Sequence, residues 1–81
     1  MNEQEIVDRL REWFTDYTGH ECDGPTNYLE SGLLDSFGVI RLVFHVEQAF
    51  KIRLQIEDLQ SEDFATLGGL ARLIAARWSK S

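Results

Sequence analysis

Gly32-Leu33-Leu34-Asp35-Ser36-Phe37-Gly38 leads into Val39-Ile40-Arg41-Leu42-Val43-Phe44-His45-Val46-Glu47-Gln48-Ala49-Phe50, a run without Gly or Pro. A Gly-punctuated turn thus gives way to an apolar, helix-compatible segment, which predicts a helix from about Ser36 to Phe50. Asp35 suits the N-cap, because a carboxylate there accepts backbone N–H groups that have no partner inside the helix. Ser36 then falls in the first turn, where unpaired N–H groups and the positive end of the helix dipole favour an attached anion. A phosphate esterified to its hydroxyl would sit in a favourable field at the tip of a rigid element. Val39, Ile40, Val43, Val46 and Phe50 form the expected buried stripe, with Leu42 and Phe44 widening the apolar surface beyond it. Phe37 has two readings: an exposed aromatic that meets a partner, or a ring folded back onto Leu33 or Leu34.

On the N-terminal side, Ile6, Val7, Leu10, Trp13, Phe14 and Tyr17 recur at helical spacing, which predicts an amphipathic helix with Trp13 and Phe14 in the core. Asn2 with Glu5 resembles a capping box, and Gly19 is a suitable stop. Thr18 to Leu34 is a connection rich in Gly, Asp, Asn and Pro, long for so small a chain. A short turn at Tyr28-Leu29-Glu30 is expected to place Leu29 in the core. On the C-terminal side, Ile56-Glu57-Asp58-Leu59 reads as a short helical turn, and Asp63-Phe64 as a further anchor. Thr66 caps a last helix with Leu67, Leu70, Ala71, Ile74, Ala75 and Trp78 on one face. Gly68 and Gly69 cost that helix about 1 kcal/mol each relative to Ala, which suggests a close approach by another element. Arg72, Arg77 and Lys80 suit its C-terminal dipole end. The fold class expected is all-α, a small antiparallel four-helix bundle of three long helices and one short one, with residues 1–81 as a single domain.

At 81 residues the core is modest, and no deep catalytic cavity is expected. Hydrophobic residues make up 43% of the chain, enough for a folded domain rather than a disordered one. No apolar run reaches the ~18–20 residues of a membrane span, and the acidic start lacks the layout of a signal peptide, so a cytoplasmic location is expected. Residues 1–35 hold nine acids against Arg9 and Arg11, whereas residues 36–81 hold five acids against six bases, giving the net charge of −6. That balance disfavours nucleic acid and fits either a solvated acidic face or steering of a basic partner. The lone Cys22 excludes an internal disulfide. His20-Glu21-Cys22-Asp23 is a poor metal site, since adjacent residues cannot all aim at one ion. Ser36 lacks a recognisable base: His45 is nine positions further along the same helix, about 13.5 Å away at ~1.5 Å per residue. His20 alone would still lack an oxyanion hole and a pocket, so the chain is expected not to be an enzyme.

Leu34-Asp35-Ser36-Phe37 resembles the attachment motif of acyl and peptidyl carrier proteins, and the order of features from Tyr28 to Trp78 is similar throughout. The long first loop and the link Lys51-Ile52-Arg53-Leu54 belong to the likeness. Within that family the chain is most similar to stand-alone D-alanyl and aminoacyl carriers, on Gly32-Leu33-Leu34-Asp35-Ser36, Gly38 and Leu59-Gln60-Ser61-Glu62-Asp63-Phe64. The resemblance implies a 4′-phosphopantetheine arm, derived from coenzyme A, on Ser36, with Asp35 as part of the motif. It implies an aminoacyl or acyl thioester on the arm's thiol. The implied partners are a phosphopantetheinyl transferase, an adenylating acyl or aminoacyl ligase, and a downstream acyltransferase or synthase, all serving a monomeric carrier. Arg41 stands where fatty-acid carriers usually have Glu, and Glu47 is the one acid from Ser36 to Phe50. Phe37, Arg41 and Phe44 are therefore the candidate partner contacts on a weakly charged face. The alternatives are a fatty-acid or polyketide carrier, or an unmodified helical adaptor in which Asp35-Ser36 is only a cap.

Overall fold

A computed structural model describes residues 2–80, with side chains through Trp78. The chain forms α1 (Glu3–Thr18), α2 (Ser36–Phe50), the short α3 (Ile56–Gln60), a 3-10 helix (Glu62–Ala65) and α4 (Leu67–Lys80). Among the described residues the only β feature is an isolated bridge between Asn27 and Thr66. The architecture is the small all-α bundle of three long helices and one short one.

α1 begins where the Asn2 side chain accepts the Glu5 N–H at 2.8 Å. It stops at Gly19, whose left-handed backbone (φ 76°) lets its N–H reach the Thr15 carbonyl. Ile6, Leu10 and Phe14 are the α1 residues in the core, while Trp13 is half-buried and Tyr17 is 43% exposed. α4 adds Leu67, Leu70, Ala71 and Ile74 to that core. Its cap is Thr66, whose hydroxyl accepts the Gly69 N–H at 3.0 Å.

Tyr28 anchors the long connection in the core. Tyr28 is fully buried, its ring packed against Phe14 and Phe64, and its hydroxyl donates to the Phe64 carbonyl. Its N–H donates to the Ala65 carbonyl at 3.0 Å. Burial pushes the phenol well above its ordinary range. Leu29, expected in the core, is 38% exposed. The Asn27 side chain accepts the N–H groups of both Leu29 and Glu30, forming a turn that swings Leu29 outward as Tyr28 points in.

The buried stripe of α2 also differs from the expected one. Gly38, Leu42, Val46 and Phe50 face inward, Val39 and Val43 flank them, and Ile40 and Phe44 are 54% and 61% exposed. The helix is apolar on several faces, so spacing alone left its rotation open. Packing decides it: a Cβ at Gly38 would come within 3.0 Å of the Leu34 side chain and 3.2 Å of the Tyr17 ring. The smallest residue therefore marks the closest approach, and the row at four-residue spacing behind it becomes the core face.

Arg72 and Arg77 meet carboxylates. Arg72 pairs with Asp63 at 2.9 Å on the surface. Arg77 donates from Nε and an Nη to one oxygen of the nearly buried Asp58, which also accepts the Gln55 N–H at the start of α3. The Lys80 side chain lies outside the described residues.

The paired glycines of α4 are not equivalent. A Cβ at Gly69 would overlap the Asp63 carbonyl oxygen and lie 2.7 Å from its carbon, both backbone atoms of the 3-10 helix. At Gly68 it would make an ordinary 3.5 Å contact with the Gly24 carbonyl. Urea denaturation is expected to show Gly69→Ala destabilised by more than about 2 kcal/mol, since the main chain must move. Gly68→Ala is expected to be neutral or to gain up to about 1 kcal/mol from helix propensity.

Candidate functional site at the start of the second helix

The start of α2 is built by its cap. Asp35 is extended (φ −89°, ψ −176°), and its Oδ1 accepts the Gly38 N–H at 2.8 Å. The Asp35 carbonyl accepts the Val39 N–H at 3.0 Å. Ser36 is thereby the first helical residue and is exposed. The helix itself offers no carbonyl to the N–H groups of Ser36 and Phe37. The first turn carries no acid, and the capping carboxylate has one oxygen engaged by Gly38. An anion on the Ser36 hydroxyl therefore meets backbone donors and the positive helix end.

Two clefts flank this tip. On one side Tyr17, Thr18, His20, Ser31, Gly32, Leu33 and Asp35 line a polar cleft of about 630 Å³. On the other, Trp13 and Tyr17 of α1 with Phe37, Ile40, Arg41 and Phe44 of α2 line an apolar groove of about 580 Å³. Phe37 is 65% exposed, so its ring stands open rather than folded back onto Leu33 or Leu34. The Arg41 guanidinium lies 5.8 Å from the Phe37 ring centre, within cation–π reach. Phe37, Arg41 and Phe44 share one face of α2 with Ile40, as their three- and four-residue spacings require. Trp13, Tyr17 and Ile40 were not among the candidate site residues. Their signal in the sequence was the surplus of apolar side chains over what one buried stripe on each helix can use.

Trp13 anchors this wall by stacking on Tyr17 (5.0 Å) and on His45 (5.6 Å). His45 is thus committed to Trp13, and among the described residues Ser36 makes no side-chain hydrogen bond to either histidine. Glu47, the one acid of α2, accepts the Leu54 N–H at 3.0 Å and ties down the link after the helix. Cys22 is buried, and desolvation with the neighbouring Asp23 charge pushes its thiol up, away from the nucleophilic form. Its neighbours His20, Glu21 and Asp23 are exposed, whereas Cys22 points into the core. No helix among the described residues is long and apolar enough to cross a membrane.

Residues 5–74 match the family described as phosphopantetheine attachment site, and the chain belongs to that family. No curated protein matches it. The protein is accordingly a carrier with a covalently attached 4′-phosphopantetheine arm, of a kind that is generally non-catalytic. The α2 tip fits such a group, offering an exposed hydroxyl, adjacent backbone donors and a first turn free of carboxylates.

Two measurements test this region. Asp35→Ala removes the cap and is expected to lower stability by about 1 kcal/mol in urea denaturation. Burial holds His45 below its ordinary value of 6.5, so the unfolded chain takes up that proton more readily. The resulting stability is present above pH ~6.5 and is lost as the pH falls through the folded value. In His45→Gln, the drop in urea midpoint on acidification is expected to be smaller than in the wild type.

Proposed function

We propose that Ser36 bears the arm, and that the protein is a single-domain, monomeric, cytoplasmic carrier of an aminoacyl or acyl group. The observation that carries the reading is the exposed Ser36 hydroxyl on the first turn of α2, capped by Asp35 and free of acids. In a phosphopantetheinyl transferase supplied with coenzyme A, the Ser36 oxygen bonds to the pantetheine-side phosphorus and loses its proton. The bond from that phosphorus to the departing adenosine bisphosphate breaks. The first-turn N–H groups would hold the negative charge of the phosphodiester, while Asp35 keeps the turn wound and Ser36 turned outward. When bound, the arm supplies a thiol that holds the cargo as a thioester. The remaining steps belong to an adenylating ligase and to a downstream acyltransferase or synthase.

Phe37, Arg41 and Phe44 are proposed as the partner contacts. They stand together on the open face of α2, where exposed aromatics and an Arg are effective anchors. The same face bears against general fatty-acid duty. Arg41 is its one charge, and the one acid of α2 is bonded to the Leu54 backbone. A dedicated ligase with an apolar, weakly acidic docking patch is the better match.

Incubation with coenzyme A, Mg²⁺ and a broad-specificity transferase is expected to raise the intact mass by one phosphopantetheinyl group. Ser36→Ala is expected to show no gain while its stability stays within about 0.5 kcal/mol of the wild type, as for other exposed substitutions. A folded wild type that two different transferases leave unmodified would refute Ser36 as the attachment point and leave an adaptor bundle.

A further inference from the structure

The α1–α2 groove starts one residue after Ser36 and follows a single face of α2 through Phe37, Ile40, Arg41 and Phe44. That path is about 10 Å long at ~1.5 Å rise per residue. Its back wall is Trp13 and Tyr17, held by the aromatic stack that ends on His45. None of the lining side chains belongs to the core, so a guest can enter without opening the bundle. At about 580 Å³ the groove lies in the range of small-molecule sites.

Its charge is one-sided. Among the described residues its lining contains no carboxylate, and the one ionic group there is the Arg41 guanidinium. A guest with a free ammonium would meet a like charge inside the groove and find acids only in the adjoining clefts, Glu12 and Asp16 beyond Trp13 and Asp35 beyond Tyr17, whereas a neutral apolar group meets four aromatic rings and Ile40. The polar cleft across the tip offers the opposite chemistry, with hydroxyls, His20 and Asp35. It suits amides better than hydrocarbon.

We propose that, while the carrier is free of its enzymes, this groove shelters the acyl group on the arm, and that the cargo is a neutral aryl or branched apolar acyl group. The proposal rests on Ser36 as the attachment point. Burial of a ring against Trp13, Tyr17 and Ile40 provides the attraction, because it removes apolar surface from water on both sides. Arg41, drawn over Phe37, closes the outer edge and disfavours a cationic aminoacyl cargo. The docked cargo keeps the thioester beside the carrier wall until a partner enzyme withdraws it.

The test compares three ¹⁵N-labelled forms loaded by the transferase from acetyl-, 3-phenylpropanoyl- and phenylalanyl-coenzyme A, each checked for full loading by intact mass. The last two carry the same ring and differ by the α-ammonium. The phenylpropanoyl form is expected to shift the Trp13 indole N–H and the amides of Tyr17, Ile40 and Phe44 relative to the acetyl form. The Trp78 indole, outside the groove, serves as the reference. The phenylalanyl form is expected to shift the same signals less, and fully loaded Ile40→Asp to lose the shifts. Shifts confined to residues 35–37 in every form, or centred on the core residues Leu42 and Leu70, would overturn the groove. Equal shifts from the phenylpropanoyl and phenylalanyl forms would overturn the cargo class. A sample that gains no mass fails at the Ser36 step, before the groove is reached, and the proposal falls with that reading.

Discussion

The site depends on how Tyr28 is held. Its hydroxyl donates to the Phe64 carbonyl and its N–H to the Ala65 carbonyl, so one residue of the long connection is tied at both ends to the 3-10 helix. A buried phenol without an acceptor would be costly, and its acceptor here is the main-chain carbonyl of Phe64, 36 positions further along the chain. The bond therefore fixes where the loop crosses the bundle. The Leu34 N–H then reaches back to the Tyr28 carbonyl, and Asp35 follows directly as the cap of α2. The position of Ser36 is thus tied to the 3-10 helix at Phe64 and Ala65.

The 3-10 helix that receives Tyr28 is itself held by close backbone packing. Gly69 allows α4 to lie against the Asp63 main chain, and the Gly68 N–H donates to the Gly24 carbonyl at 3.0 Å. Both strands of the connection, near Gly24 and near Tyr28, therefore end on the same junction between the 3-10 helix and α4. Asp58 extends the arrangement: one carboxylate starts α3 and binds Arg77 of α4. Small residues and hydrogen bonds stabilise a junction where a domain of this size has little apolar surface to bury.

The exposed face of α2 is the counterpart of its buried one. Once Gly38, Leu42, Val46 and Phe50 are turned inward, Phe37, Ile40, Arg41 and Phe44 must face water. Contiguous exposed aromatics mark a binding surface more often than a defect. Here they adjoin Ser36, the proposed attachment point, and the α1 pair Trp13 and Tyr17 makes the surface concave. The exposed start of α2 and the apolar wall occupy one edge of the molecule.

Local chemistry in the sequence determined the elements and the tip. Asn2, Gly19, Asp35 and Thr66 cap or stop helices where they stand, because each acts on backbone groups within four residues. The apolar spacing of α4 identified Leu67, Leu70, Ala71 and Ile74 as its buried face, whereas Trp78, expected on the same face, is 38% exposed and Ala75 only partly buried. The rotation of α2, the choice of Tyr28 over Leu29 and the groove were left to tertiary structure. Periodicity cannot choose a face on a helix that is apolar nearly all round, and neither of two adjacent apolar residues announces which one will find a carbonyl to bond. Those choices were made by contacts between residues far apart in the chain: Gly38 against Tyr17, and Tyr28 against Phe64.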